Sequence, residues 1–174
     1  MMIYKKYDQR NTQNRKKLDS VAAIRHAAAQ ALLRYPYSVS ALRKKMLQKG
    51  AEKEALEIAL EGLCESNLLN EERMIEGQIL YRKEHVPRGR AYVRRELIEK
   101  GFPAPLVESV LSEEYTREEE ESVLRRILAK MPSPIAFCPE DEERQRQKLV
   151  SRLASRGFPL GLIFSILEEK YFQE

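Results

Sequence analysis

A nineteen-residue pattern occurs three times along this chain, and it restricts the fold more than any other feature. Residues 42–60 read LRKKMLQKGAEKEALEIAL, residues 93–111 read VRRELIEKGFPAPLVESVL, and residues 149–167 read LVSRLASRGFPLGLIFSIL. Aligned on Gly50, Gly101 and Gly157, they share Met46, Leu97 and Leu153 four residues upstream. A base, Lys49, Lys100 or Arg156, stands immediately before each glycine. Downstream, Ala59, Val110 and Ile166 match, followed by Leu60, Leu111 and Leu167. Self-similarity at a period of about fifty residues indicates a repeated helical unit.

Each copy reads as two helices around a tight turn. Val93 and Leu97 lie one helical turn apart and form an apolar stripe. Gly101 follows where that helix ends, in the left-handed conformation that glycine adopts without a side-chain penalty. Phe102 is placed to fold back on the last turn, and Pro103 is tolerated at the start of the next helix because its missing N–H costs nothing there. Gly157, Phe158 and Pro159 repeat the arrangement. The first copy keeps Gly50 but continues with Ala51 and Glu52, which predicts a less tightly held turn.

A further helical stretch precedes each pair. Residues 19–34 end at Pro36. Residues 71–85 follow Asn70, a suitable N-cap, with Glu71 and Glu72 in the first turn, where negative charge is favourable. Residues 117–130 open with Thr116 and Glu119 in capping-box spacing. The expectation is an all-α chain of nine helices: a basic arm over 1–17, then three-helix repeats over 18–66, 70–115 and 116–174. Three prolines in 131–139 forbid a continuous helix there. No stretch alternates long enough to compete as a strand. One such unit buries little surface alone, so a tandem array, elongated and curved, is expected.

Composition narrows the chemistry. No apolar run approaches the roughly 20 residues needed to span a bilayer, and the first residues lack the apolar core of a signal peptide. Cys64 and Cys138 have no cysteine or histidine at metal spacing, which argues against zinc sites and disulfides and for a reducing cytoplasm. His26 and His85 fall on different repeats with no nucleophile or carboxylate at a suggestive spacing. No phosphate loop, paired-histidine helix or nucleophile elbow is present. The expectation is a protein without catalytic activity or cofactor, monomeric and cytoplasmic.

Charge is sorted more clearly. Residues 1–20 carry six Lys and Arg against Asp8 and Asp19, an excess equal to the +4 of the whole chain. That arm is either a flexible tail or a docking element for an acidic partner. Within the repeats, the middle helices concentrate bases: Arg43, Lys44 and Lys45; then Arg88, Arg90, Arg94 and Arg95; then Arg144, Arg146, Lys148 and Arg152. The third helices are poorer in bases and often acidic. A discontinuous positive stripe formed by the middle helices suits phosphate or an acidic protein groove. Lys49, Lys100 and Arg156 sit at helix C-termini, where a cation stabilises the dipole, and are assigned mainly to structure. Arg88, Tyr92 and Arg95, spaced by four and three, are read as a solvent-facing set. A helix–turn–helix DNA reader is disfavoured, because the second helices, such as ALEIALEGL and LGLIFSILEEK, offer no basic or amide residues to base edges.

These residues resemble a known family. The threefold LRxKLxxKG-type segment, the LxNEER run at Leu68–Arg73 and the basic helix ending in Lys100–Gly101–Phe102 are similar to RecX, over nearly all of residues 20–174. The resemblance implies a non-enzymatic helical-repeat protein that binds the RecA–DNA filament and inhibits or remodels it. The basic set Arg43, Lys44, Lys45, Arg88, Arg90, Tyr92, Arg94, Arg95, Arg144, Arg146 and Arg152 is the expected contact surface for filament or DNA, single- or double-stranded. A general DNA-binding repeat module, acting without RecA, is the alternative.

Overall fold

A computed structural model describes residues 18–131 and 142–171. The basic arm expected over 1–17, and positions 132–139 of the proline-rich stretch, lie outside the described residues. Those described are helices and connecting turns, with no strand among them. In chain order they are α1 (Val21–Leu32), α2 (Val39–Gln48), α3 (Lys53–Glu65), α4 (Glu71–Glu84) and α5 (Arg90–Glu99), then α6 (Ala104–Glu114), α7 (Arg117–Ala129), α8 (Glu142–Ser155) and α9 (Leu160–Tyr171). By packing, the chain divides into two compact units, Met1–Glu71 and Glu72–Glu174. The second and third expected repeats therefore share one unit.

In the first unit, α1, α2 and α3 pack against one another. The apolar stripe read from sequence becomes the core: Ile24 and Ala28 of α1, Leu42 and Met46 of α2, Leu56, Leu60 and Leu63 of α3 are all buried. Ser20 caps α1 by accepting the Ala23 N–H at 3.3 Å.

In the second unit, Ile75 and Ile79 of α4, Val93 and Leu97 of α5, and Val107 and Leu111 of α6 form a single apolar core with Leu124 and Leu128 of α7, Leu153 of α8 and Ile163 and Leu167 of α9. Thr116 opens α7 with the expected capping box: its hydroxyl accepts the Glu119 N–H at 3.3 Å, and the Glu119 carboxylate accepts the Thr116 N–H at 2.9 Å.

The three glycine turns are built alike. Gly50, Gly101 and Gly157 have φ of 87°, 86° and 90°, the left-handed region expected for each. Each glycine N–H returns to the carbonyl three residues back, from Gly50 to Leu47, Gly101 to Ile98 and Gly157 to Ala154, all at 2.9 Å. The next residue bonds five back: Ala51 to Met46 at 3.1 Å, Phe102 to Leu97 at 3.2 Å and Phe158 to Leu153 at 3.3 Å. The first turn is not looser than the others. Its two backbone bonds close without an aromatic, and Ala51 is buried where Phe102 and Phe158 are buried in the later copies.

The starts of α2 and α5 share another device. Val39 and Arg90 stand eleven residues before their glycines. The Val39 N–H donates to Glu71 at 2.8 Å, and the Arg90 N–H donates to Glu120 at 2.6 Å. A carboxylate thus satisfies an otherwise orphaned amide at a positive helix end.

Candidate interaction surface of the second unit

The bases of the repeated helices fall into two groups, those matched to carboxylates and those left unmatched. Arg43 and Glu57 lie seven residues before and after Gly50, and Arg94 and Glu108 take the same places around Gly101. Both pairs form: Arg43 grips Glu57 through two bonds of 2.7 and 2.8 Å, and Arg94 pairs with Glu108. The hydrogen bond raises the Arg43 pKa and lowers that of Glu57. In the third copy these positions are Val150 and Phe164, so the polar clasp is replaced by apolar side chains.

A second, less exposed pairing joins α4 to α5. Arg82 donates to both oxygens of Glu96 at 2.8 and 2.6 Å, and Lys100 approaches the same carboxylate at 2.9 Å. Burial opposes ionisation of Glu96, but the hydrogen bonds and charges of Arg82 and Lys100 outweigh it and hold the carboxyl below its ordinary range. Lys100 also donates to Gln78 at 2.6 Å.

Three arginines gather around Tyr92, among them the Arg82 already paired with Glu96. The guanidinium carbons of Arg88, Arg95 and Arg82 lie 5.1, 5.4 and 5.9 Å from the centre of its ring, within cation–π range. Arg95 is exposed and only loosely paired with Glu99 at 3.9 Å. Arg88 and Tyr92 are half-buried rather than solvent-facing. The reason is that the Gly157 turn between α8 and α9 lies against them. A Cβ on Gly157 would meet the Tyr92 Cβ and amide at 2.5 Å, and one on Gly89 would overlap the Gly157 carbonyl. The Gly89 N–H donates to the Arg156 carbonyl at 2.9 Å, and the buried Tyr115 hydroxyl donates to the Arg88 carbonyl at 2.7 Å. Burial raises the Tyr115 pKa strongly, so it remains the donor.

This contact sets the Arg156 backbone against Gly89, the residue after Arg88. Burial, then the charges of Arg88 and Arg152, lower the Arg156 pKa. Among the described residues no carboxylate pairs with Arg88, Arg152 or Arg156. The Arg88 Nε is buried without a hydrogen-bond partner there.

The other expected residues are placed as follows. Arg90 donates to the Tyr115 carbonyl at 3.3 Å and the Ser112 hydroxyl at 3.2 Å, so its head is partly committed. Arg144 is exposed and Arg146 half-buried on α8. In the first unit Lys44 is exposed, whereas Lys45 donates to the Tyr37 hydroxyl at 2.9 Å and lies over that ring. The sequence reading did not single out Arg82 and set Arg156 aside as a helix-end cation. A base before a glycine cap gave no sign that the turn packs on a tyrosine of another helix.

No protein-family model matches the chain. Individual relatives do. Regulatory protein RecX of Pseudomonas putida (strain GB-1) is 34% identical over 152 residues, covering 86% of this chain and 92% of that protein. Regulatory protein RecX of Pseudomonas fluorescens is 30% identical over 153 residues, covering 86% and 93%. The chain belongs to the RecX family. The crystal structure of RecX from Lactobacillus salivarius has the same fold, with a TM-score of 0.73 at 16% identity over 86% of this chain and 95% of that one. A second crystal structure, of regulatory protein RecX, gives 0.67 at 19% identity over 84% and 74%. RecX membership gives the chain a regulatory role, the one its relatives' name carries. Among the described residues of this RecX chain, no helix is long and apolar enough to cross a membrane.

Proposed function

We propose that the chain is a non-enzymatic regulator that binds the RecA–DNA filament and lowers its ATPase, recombinase and co-protease activities. Membership of the RecX family supports this reading, and one structural observation carries it. In the second unit the guanidiniums of Arg88 and exposed Arg95 both lie against the Tyr92 ring, and among the described residues no carboxylate pairs with Arg88. Positive charge concentrated in this way attracts an acidic macromolecular surface and steers its approach.

Arg90, Arg144, Arg146 and Arg152 add bases in the same unit, and Lys44 and Lys45 supply bases in the first unit. Arg43 and Arg94, engaged with Glu57 and Glu108, serve it by holding their helix pairs together. Several modest contacts on one chain raise each other's effective concentration along a polymer, so the grip exceeds that of any single contact. The basic arm over 1–17 adds to the same attraction.

Co-sedimentation with RecA filaments on single-stranded DNA tests the reading. Wild type pellets with filaments, whereas a folded R88E/R95E variant stays in the supernatant. Equal pelleting of both proteins contradicts the assignment of this surface. Equal pelleting with DNA alone favours the general DNA-binding module instead.

A further inference from the structure

The outer face of α3 has no counterpart in the other two repeats. Glu54, Ile58, Glu61 and Glu65 follow one another at spacings of four, three and four, so they line one stripe of the helix. All four are exposed, and Ile58 presents 57% of its surface. Leu68, just past the end of the helix, is similarly open at 56%. Counted from the glycine of each turn, Pro105, Ser109 and Ser112 hold the places of Glu54, Ile58 and Glu61 in the second copy. In the third copy they are held by Gly161, Ser165 and Glu168. We propose that this face of α3 is the docking site of the chain's own basic arm, residues 1–17, which straps itself to the first unit.

Charge selects the occupant. The arm carries Lys5, Lys6, Arg10, Arg15, Lys16 and Lys17 against Asp8 alone, whereas α3 carries Glu54, Glu57, Glu61 and Glu65 against Lys53 alone. Glu57 is engaged by Arg43. Glu54, Glu61 and Glu65 pair with no base among the described residues. Glu61 and Glu65 stand one turn apart, where like charges on a helix destabilise each other until a base intervenes. The apolar content matches as well. Met1, Met2, Ile3, Tyr4 and Tyr7 stand beside the arm's bases, as exposed Ile58 and Leu68 stand beside the α3 glutamates. Covering those side chains adds a favourable contribution that does not depend on charge.

The arm also starts in the right place. The described chain begins at Leu18, which is buried in the first unit. Arg25, early in α1, donates to the Gly62 carbonyl at 3.4 Å, which sets the beginning of α1 beside the C-terminal half of α3. Arg15, Lys16 and Lys17 are thereby tethered within reach of Glu61 and Glu65. The 13 residues of α3 span about 20 Å, and the arm reaches up to about 56 Å when extended. Its apolar start therefore has length to spare for Ile58 and Glu54. Tethering supplies the grip, since an effective concentration on the order of millimolar makes individually weak surface pairs sufficient.

Docked in this way, the arm's bases are neutralised by the chain's own glutamates. They pass only to a surface acidic enough to displace α3, so the strap sharpens the difference between weakly and strongly acidic partners. This docking goes beyond the regulatory reading above and needs no RecA.

The test uses the full chain with Cys138→Ser, which leaves exposed Cys64 of α3 as the one thiol for a nitroxide spin label. Backbone amide signals of an isotope-labelled sample are compared before and after the nitroxide is reduced. Docking broadens the signals of Ile3 to Tyr7 as well as those next to Leu18. In E54K/E61K/E65K, shown to be folded by circular dichroism, the Ile3 to Tyr7 signals regain at least about twofold intensity, because like charges now face the arm. Salt at about 1 M, where the Debye length is about 3 Å, restores them in the parent chain, a comparison that needs no charge variant. Broadening that stops next to Leu18, or that persists unchanged in E54K/E61K/E65K, overturns the proposal. Broadening that arises only when spin-labelled chain is mixed with separately isotope-labelled chain also overturns it, and assigns the α3 face to the arm of a second copy.

Discussion

Gly89 donates its N–H to the carbonyl of Arg156 at 2.9 Å, and that bond joins the start of α5 to the turn between α8 and α9. It explains why Arg156, at the C-terminus of α8, also meets the start of α5 rather than serving only its own helix. It also makes two glycines indispensable for different reasons.

Gly89→Ala places a methyl group on the Gly157 carbonyl, and backbone cannot yield as a side-chain tip does. Overpacking of this kind costs about 1–3 kcal/mol or more. Gly157→Ala adds the penalty of a left-handed backbone at φ 90° to a clash with Tyr92. Gly50→Ala has the conformational penalty at φ 87° but nothing within 4 Å of the new Cβ, so it costs about 1–2 kcal/mol. Urea unfolding of the three variants should rank Gly157→Ala as the most damaging and Gly50→Ala as milder.

The Tyr115 hydroxyl steadies the loop that carries Arg88. Tyr115→Phe keeps the buried ring and loses one hydrogen bond, a cost of about 1 kcal/mol plus the unsatisfied Arg88 carbonyl. The variant should remain folded by circular dichroism at room temperature and yet pellet less with RecA filaments. Unchanged pelleting would show that Arg88 needs no such support.

Glu96 and Glu120 respond to pH in opposite directions. The folded-state pKa of Glu96 lies below its ordinary value, so its stabilisation is present above the usual carboxylate range and is lost as pH falls through the folded pKa. Glu96→Gln should cost about 1–3 kcal/mol at neutral pH and progressively less in acid, measured by urea unfolding.

Burial raises the Glu120 pKa despite its bond from the Arg90 N–H and the charge of Arg90, and the residue is only 5% exposed. Keeping Glu120 ionised opposes folding, so its contribution to stability falls as pH rises from the ordinary carboxylate range through the raised value. Glu120→Gln retains an acceptor without the charge, and its stability relative to wild type should improve across that same rise in pH.

Features carried by local signals were legible in the sequence. Gly50, Gly101 and Gly157 announce left-handed caps because only glycine adopts that conformation cheaply, and Thr116 with Glu119 announces a helix start within four residues. Where the pattern departed from its sister copies, the reading overreached: Ala51 lacks an aromatic, but the turn is closed by backbone bonds that any residue supplies. The pairing of Arg43 with Glu57 and Arg94 with Glu108 was implicit in the repeat, yet it depends on how two helices meet across the turn. The gathering of Arg82, Arg88, Arg95 and Arg156 near Tyr92 was not legible as a whole. It arises where separate stretches of chain pack together, and no local spacing encodes that contact.

The most direct measurement is ATP hydrolysis by RecA assembled on single-stranded DNA, with this protein titrated in below one per RecA protomer. The account predicts a fall in hydrolysis at substoichiometric ratios, and a much smaller fall with R88E/R95E. Hydrolysis that stays constant while the wild-type protein is bound to the filament would contradict it.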